Sequence, residues 1–192
     1  MAYVLARGNA NIRKGEGGGA AADFDIAASL DPKVEGIEYL RGYAHRVAGN
    51  FDRARELLDK FLKQHPDHVD TLANLGFLSV EQGRIDEAEV YLRRVLELEP
   101  SNEMALYDYA RVAIRRRDYS EAVGRLLQVV ARDKANTQAH YQLFLAYSRL
   151  KELDKAQVEL SEFKRLQTMD KQAKEERMQD EKLRTQEILD RP

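Results

Sequence analysis

The side chains in this sequence that could carry chemistry are four histidines, a glycine triplet and a run of arginines. His65 and His68 bracket the stretch HPDHVD with Asp67 and Asp70, a set of nitrogen and oxygen donors of the kind that zinc takes. Without further ligands nearby, the same residues read more simply as a turn and a helix cap, and no metal is assigned to them. His45 and His140 fall at spacings that face an apolar core, where a hydrogen-bonded, partly buried imidazole is the ordinary outcome. Gly17, Gly18 and Gly19 have the composition of a phosphate loop, but no strand precedes them and no Gly-Lys-Ser/Thr follows. No Ser-His-Asp, paired-carboxylate or Cys-His grouping shows through the pattern. Neither catalytic residues nor a cofactor is assigned, and the chain is expected not to be an enzyme.

Composition narrows the partners. Of the 192 residues, 43% are hydrophobic and 33% charged, with a net charge of -2; there is no cationic field suited to a phosphate backbone, so nucleic acid is not expected. Cysteine is absent, which removes disulfide frameworks and thiolate zinc sites. The first residues, MAYVLARGNANIRKGEGGG, lack the apolar core of a signal peptide, and no run approaches 18 apolar residues. The expectation is a soluble chain without a membrane partner, cytoplasmic by default.

The elements that hold these side chains repeat every 34 residues, best seen in VDTLANLGFLSVEQGRIDEAEVYLRRVLELEPSN, Val69 to Asn102. Position 20 of each unit is Ala20, Ala54, Ala88, Ala122 and Ala156. Position 8 is Gly8, Gly42, Gly76, Ala110 and Phe144, and position 15 is Gly15, Gly49, Gly83, Arg117 and Lys151. Proline closes the first three units at Pro32, Pro66 and Pro100. An internal period of this length marks an array of stacked units.

Each unit reads as a helical hairpin. In the third, Leu72, Leu75, Gly76 and Ser79 share one stripe of a first helix, and small residues there admit a second helix closely. Gly83 ends that helix in the left-handed conformation. Asp86 is expected to cap the second helix, with Glu89 three residues on and an inner stripe of Ala88, Leu92, Val95 and Leu96. Asp52, Ser120 and Asp154 repeat the cap. The glycines after Glu16 cost roughly 1 kcal/mol each in a helix interior, so the first unit is expected to fray or be partly remodelled.

With Leu72, Leu75, Gly76, Ala88, Leu92 and Pro100 at their positions, the chain resembles the tetratricopeptide repeat (TPR) family. Phe61, Val95, Val129 and Phe163 stand where the family has alanine, and Phe144 replaces a glycine. The resemblance implies an all-α fold, a right-handed α-solenoid of about five helix-turn-helix repeats with an extended C-terminal helix. The units would be 1-34, 35-68, 69-102, 103-136 and 137-170, followed by a charged helical extension over 171-192. Along that extension Lys171 with Glu175, Arg177 with Glu181 and Asp180 with Arg184 pair at four-residue spacing. Met178, Leu183 and Ile188 miss a heptad, which disfavours a coiled-coil dimer.

A solenoid of this family also implies a concave groove lined by positions 2, 5, 9, 12 and 13 of each first helix. Those positions carry aromatics, Tyr39, Tyr43, Phe77, Tyr107 and Tyr141, where the hairpin core needs none. Rings with polar tips suit a bound peptide. Asn74, in the middle of the groove, can donate and accept to a peptide backbone, and Asp108, Arg111, Gln142 and Leu145 complete the candidate site. Arg115 and Arg149, with Arg111, form either solvated surface or a basic end selecting acidic ligand residues. The carboxylate clamp of chaperone-binding relatives is not expected, because Tyr39, Tyr43, Met104 and Asp108 occupy its positions. The expected function is a non-enzymatic protein-interaction scaffold binding a peptide segment of a partner. The alternatives are a self-assembling structural repeat protein, with weak homo-oligomerisation, and the repeat portion of a larger enzyme or secretion-related protein.

Overall fold

A computed structural model describes the backbone of residues 1-189, with the side chains of residues 1-180 and Lys182. Ten helices and no strand occur among the described residues. The chain divides into two compact units, Met1–Arg115 and Arg116–Pro192.

The first unit contains α1 (Ala2–Lys14), α2 (Gly17–Leu30), α3 (Ile37–Val47), α4 (Phe51–Gln64), α5 (Val69–Glu81), α6 (Ile85–Leu98) and α7 (Glu103–Arg115). Each helix packs on the next, and α5 also lies against both α3 and α7. That placement explains why α5 is buried beyond its expected stripe. Ala73, Asn74, Leu78 and Val80 are covered along with Leu72, Leu75, Gly76 and Ser79, and within Thr71 to Val80 only Phe77 keeps partial exposure. A helix flanked by four others has little face left for solvent.

The hairpins close through contacts between small and large residues. A Cβ on Gly76 would fall 2.5 Å from Leu92 Cδ2, and one on Gly42 would fall 2.7 Å from Leu58 Cγ. Hydrogen at position 8 therefore lets the position 24 side chain seat against the partner helix backbone. Leu58 and Leu92 are fully buried, each contributing roughly 1.5–3 kcal/mol by transfer from water. The apolar interior forms linked clusters, one around Phe24, Ala27, Ile37 and Ala44, one around Ala54, Leu58, Leu75 and Leu78, and one around Leu72, Leu92, Val95 and Val112.

A polar junction crosses this interior. Arg55 on α4, 9% exposed, donates to Gln82 Oε1 at 2.9 Å, Glu87 Oε1 at 3.0 Å and Ser79 Oγ at 2.8 Å. A guanidinium's fixed fork reaches all three partners at once, so its burial is compensated.

The glycine-rich start of α2 is helical from Gly17 rather than frayed. A Cβ at Gly17 would lie 2.3 Å from the Ala48 backbone nitrogen, so the glycine permits α2 to abut the end of α3, and that packing compensates the propensity cost. Arg7 Nε adds a 3.0 Å hydrogen bond from α1 to the buried Asp23 of α2, where Asn11 Nδ2 also donates at 3.1 Å.

Helix caps differ from expectation by two residues. The second helices begin at Ile85 and Leu153, earlier than Asp86 and Asp154. Asp52, Asp86 and Asp154 thus sit in the first turn, where a carboxylate favours the helix dipole without capping. In the fourth hairpin the cap is Asp118, accepting from the Glu121 amide at 3.1 Å, and Ser120 lies inside the helix.

The second unit holds α8 (Tyr119–Arg132), α9 (Thr137–Arg149) and α10 (Leu153–Leu189). α9 packs on both its neighbours, and Ala122, Leu126, Leu143, Ala146, Ala156 and Leu166 are buried. Beyond Leu166 the described side chains of α10 are exposed, apart from a half-buried Ala173. Lys171 and Glu175 form the expected pair at 3.8 Å. The other two pairs and the Met178, Leu183, Ile188 spacing fall partly on side chains outside the described residues. No described helix is long and apolar enough to cross a membrane.

Arg117 and Lys151, at the position where earlier units have Gly15, Gly49 and Gly83, have φ of 65° and 63°. The hairpin turn imposes the left-handed conformation on a side chain that disfavours it.

Candidate functional site

The first unit presents one face of α3, α5 and α7 on which most of the candidate residues lie. Tyr39 on α3 stacks on Tyr43 with ring centroids 6.1 Å apart, and also meets Phe61 at 5.9 Å and His68 at 5.0 Å. Burial pushes its phenol up to about 12. Tyr39 thus belongs largely to the packing between hairpins.

Tyr43 has a different neighbour. The guanidinium carbon of Arg46, one turn on, lies 4.9 Å from the Tyr43 ring centre and 5.0 Å from that of Phe77 on α5. Phe77 is held edge-on against Phe51 at 6.2 Å. Two rings therefore grip one cation, an attraction worth roughly 0.5–2 kcal/mol per contact. Arg46 makes no hydrogen bond or ion-pair contact among the described residues, and its buried Nε has no partner.

Asn74, expected within the groove, is 2% exposed. Its Nδ2 donates to the Asp70 carbonyl at 2.6 Å, while Oδ1 is buried without a partner. It forms the floor of the face. On α7, Tyr107 is half-buried, and Asp108, 2% exposed, accepts from Arg111 Nη1 at 2.9 Å; Arg111 Nη2 donates to Glu81 at 2.6 Å. Burial raises the Asp108 carboxyl to about 6, against the opposing pull of Arg111. Arg115 is exposed in the last turn of α7, where a cation suits the helix dipole.

In the second unit Tyr141 is partly exposed and packs on Phe163 at 5.0 Å and Phe144 at 6.1 Å. Gln142 and Leu145 are half-buried beside it on α9, and Arg149 is exposed. A cavity of about 500 Å³ is lined by His140, Val158, Glu159, Glu162 and Arg165. Its polar groups are already partnered, His140 with Glu159 at 2.6 Å and Arg165 with Glu162 at 2.8 Å.

The remaining histidines have structural roles. His65 stacks on Phe61 at 4.3 Å, and His68 caps α5 by accepting from the Thr71 amide at 3.2 Å. His45 Nδ1 lies 3.3 Å from Asn50 Nδ2. No group of three or more potential metal ligands occurs among the described residues.

Comparison with known proteins bears on this geometry. The family model described as tetratricopeptide repeat matches residues 46–105 and again 79–134. Residues 46–134 belong to the tetratricopeptide repeat family. Among relatives, anaphase-promoting complex subunit 3 of Schizosaccharomyces pombe is 25% identical over 138 residues, covering 72% of this chain and 21% of that protein. Cellulose synthase operon protein C of Pseudomonas fluorescens is 31% identical over 121 residues, covering 58% and 9%. The chain thus spans about a fifth or less of the length of these two relatives. Of solved structures, MamA from Desulfovibrio magneticus superposes with a TM-score of 0.72 at 18% identity, covering 87% of this chain and 94% of that one. YrrB, described as a TPR protein with an unusual peptide-binding site, gives 0.66 at 22% identity, covering 86% and 85%. These likenesses show the α-solenoid fold of helical hairpins.

Among TPR positions, Arg46 is the functional candidate that sequence reasoning passed over. It stands at position 12, one of the outer positions, but the equivalent residues are Ile12, Val80, Ile114 and Ser148, so no stripe drew notice to it. Its importance comes from Phe77, 31 residues away.

Proposed function

We propose that this chain is a non-enzymatic protein-interaction module that holds a polypeptide segment of a partner on the face of α3, α5 and α7. The observation that carries the proposal is the row Tyr43, Arg46, Phe77, Tyr107 and Arg111, partly accessible on α3, α5 and α7, with Phe77 the one such residue between Thr71 and Val80 of α5. Aromatic and arginine side chains held rigidly on a scaffold are the groups that anchor protein ligands, because little conformational entropy is lost when they engage. Tyr39 supports Tyr43 from behind, and Asn74 and Asp108 form the polar floor. Tyr141, Gln142 and Leu145 offer the second unit a contact face of their own. The peptide-binding site attributed to YrrB agrees with this use of the fold.

The test is affinity for peptides selected from a random displayed library on the full chain. Phe77→Ala and Tyr107→Ala should each weaken binding by about tenfold or more, with helicity unchanged by circular dichroism. Undiminished binding in both variants would place the partner elsewhere.

A further inference from the structure

Arg46 differs from its charged neighbours in having no carboxylate of its own. Arg111 is fully engaged by Asp108 and Glu81, Arg41 by Asp25 at 2.6 Å and Arg55 by Glu87 at 3.0 Å. Arg46 has Tyr43 and Phe77 instead. Ring faces attract a guanidinium and fix its plane, yet they accept none of its five N–H donors in the way that a carboxylate does. The result is a pre-oriented cation at the centre of the proposed binding face, with the cost of ordering its long side chain already met by the fold.

We infer that the segment held on the face of α3, α5 and α7 carries an acidic residue whose carboxylate is received by Arg46. This rests on the peptide-binding proposal above and specifies its ligand. The charge count argues for one carboxylate rather than a phosphate. Asp108 and Glu81 carry one negative charge more than their shared partner Arg111 matches, so the surroundings of Arg46 oppose a second negative charge on the ligand. A dianionic phosphoryl group would meet two nearby carboxylates with a single unpaired guanidinium to receive it. A carboxylate asks for one fork-shaped partner, which is what Arg46 offers. Apolar residues beside the acid would lie over Tyr43 and Phe77, the two rings that hold the guanidinium.

The probes are the peptides selected on the full wild-type chain, synthesised with their acidic residue and as an Asp→Asn or Glu→Gln twin. Wild-type protein should bind the acidic form about ten- to a hundredfold more tightly than its amide twin, the range of a charge-assisted hydrogen bond. Arg46→Met keeps an unbranched stem between the two rings. It should bind both twins equally, at the weaker affinity, with its thermal midpoint close to wild type. If wild type does not distinguish the twins while Phe77→Ala still weakens both, the acid specificity is wrong and the peptide-binding face stands. Failure to select any peptide overturns both proposals. Tighter binding of a phosphoserine version overturns the assignment to a carboxylate.

Discussion

Arg111 donates to Asp108 at 2.9 Å, yet the Asp108 carboxyl is raised to about 6 rather than lowered. Loss of hydration at 2% exposure outweighs the attraction of a guanidinium that Glu81 shares. The folded state therefore keeps a proton on Asp108 at pH values where the unfolded chain has released it. Stability from this group is fully present below its ordinary value of 3.8 and declines as pH rises to about 6. A shift of this size corresponds to on the order of 3 kcal/mol. Asp108→Asn should remove that decline. Urea unfolding at pH 5 and pH 7.5 should show the variant gaining on wild type at the higher pH; parallel curves would contradict it. Asp23 acts in the opposite sense, because the Arg7 hydrogen bond lowers its carboxyl, so the comparison must be made against wild type at each pH.

The left-handed turn residues give a second test. Arg117→Gly and Lys151→Gly relieve a conformation that costs a side-chain-bearing residue roughly 1 kcal/mol. Each should raise stability by about 0.5–1 kcal/mol in thermal unfolding, after the greater freedom of glycine in the unfolded chain is counted. Gly83→Ala, at φ 71°, should lower stability by a similar amount. Equal effects of all three would contradict the turn geometry.

Neighbouring glycines in α2 should respond with opposite signs. A Cβ at Gly18 meets nothing within 4 Å, whereas one at Gly17 meets the Ala48 backbone. Gly18→Ala should stabilise by about 0.5–1 kcal/mol through helix propensity. Gly17→Ala should destabilise by roughly 1–3 kcal/mol, because overpacking against backbone is not relieved by a rotamer change. Chemical denaturation of the two variants decides it.

The long helix should divide functionally near Asp170. Leu166 is buried and the residues just after it are exposed, so removal of residues 172 to 192 should leave the thermal midpoint nearly unmoved. Leu166→Ala should cost about 2–4 kcal/mol, as for other buried leucines. A large loss on truncation would mean that the tail packs as part of the core.

The hairpins were legible in the sequence because the features that build them are local and periodic. Gly76 and Leu92 lie 16 residues apart within one unit, and Ala20, Ala54, Ala88, Ala122 and Ala156 recur at one position and are all buried. The helix starts were misjudged by two residues, since Asp86 serves the first turn as well as it would serve a cap.

What the sequence determined by itself is the repeat, and with it the all-α hairpins and the face that each first helix turns outward. The tertiary structure alone decided which residues on that face stay accessible. Tyr39 is taken up by Phe61 and His68, Asn74 is closed over, Asp108 is tied to Arg111, and Arg46 is gripped between Tyr43 and Phe77. The reason is physical. Helical periodicity fixes the direction of a side chain from its own turn, but its neighbours on the adjacent helix come from about thirty residues away and depend on how closely the hairpins pack.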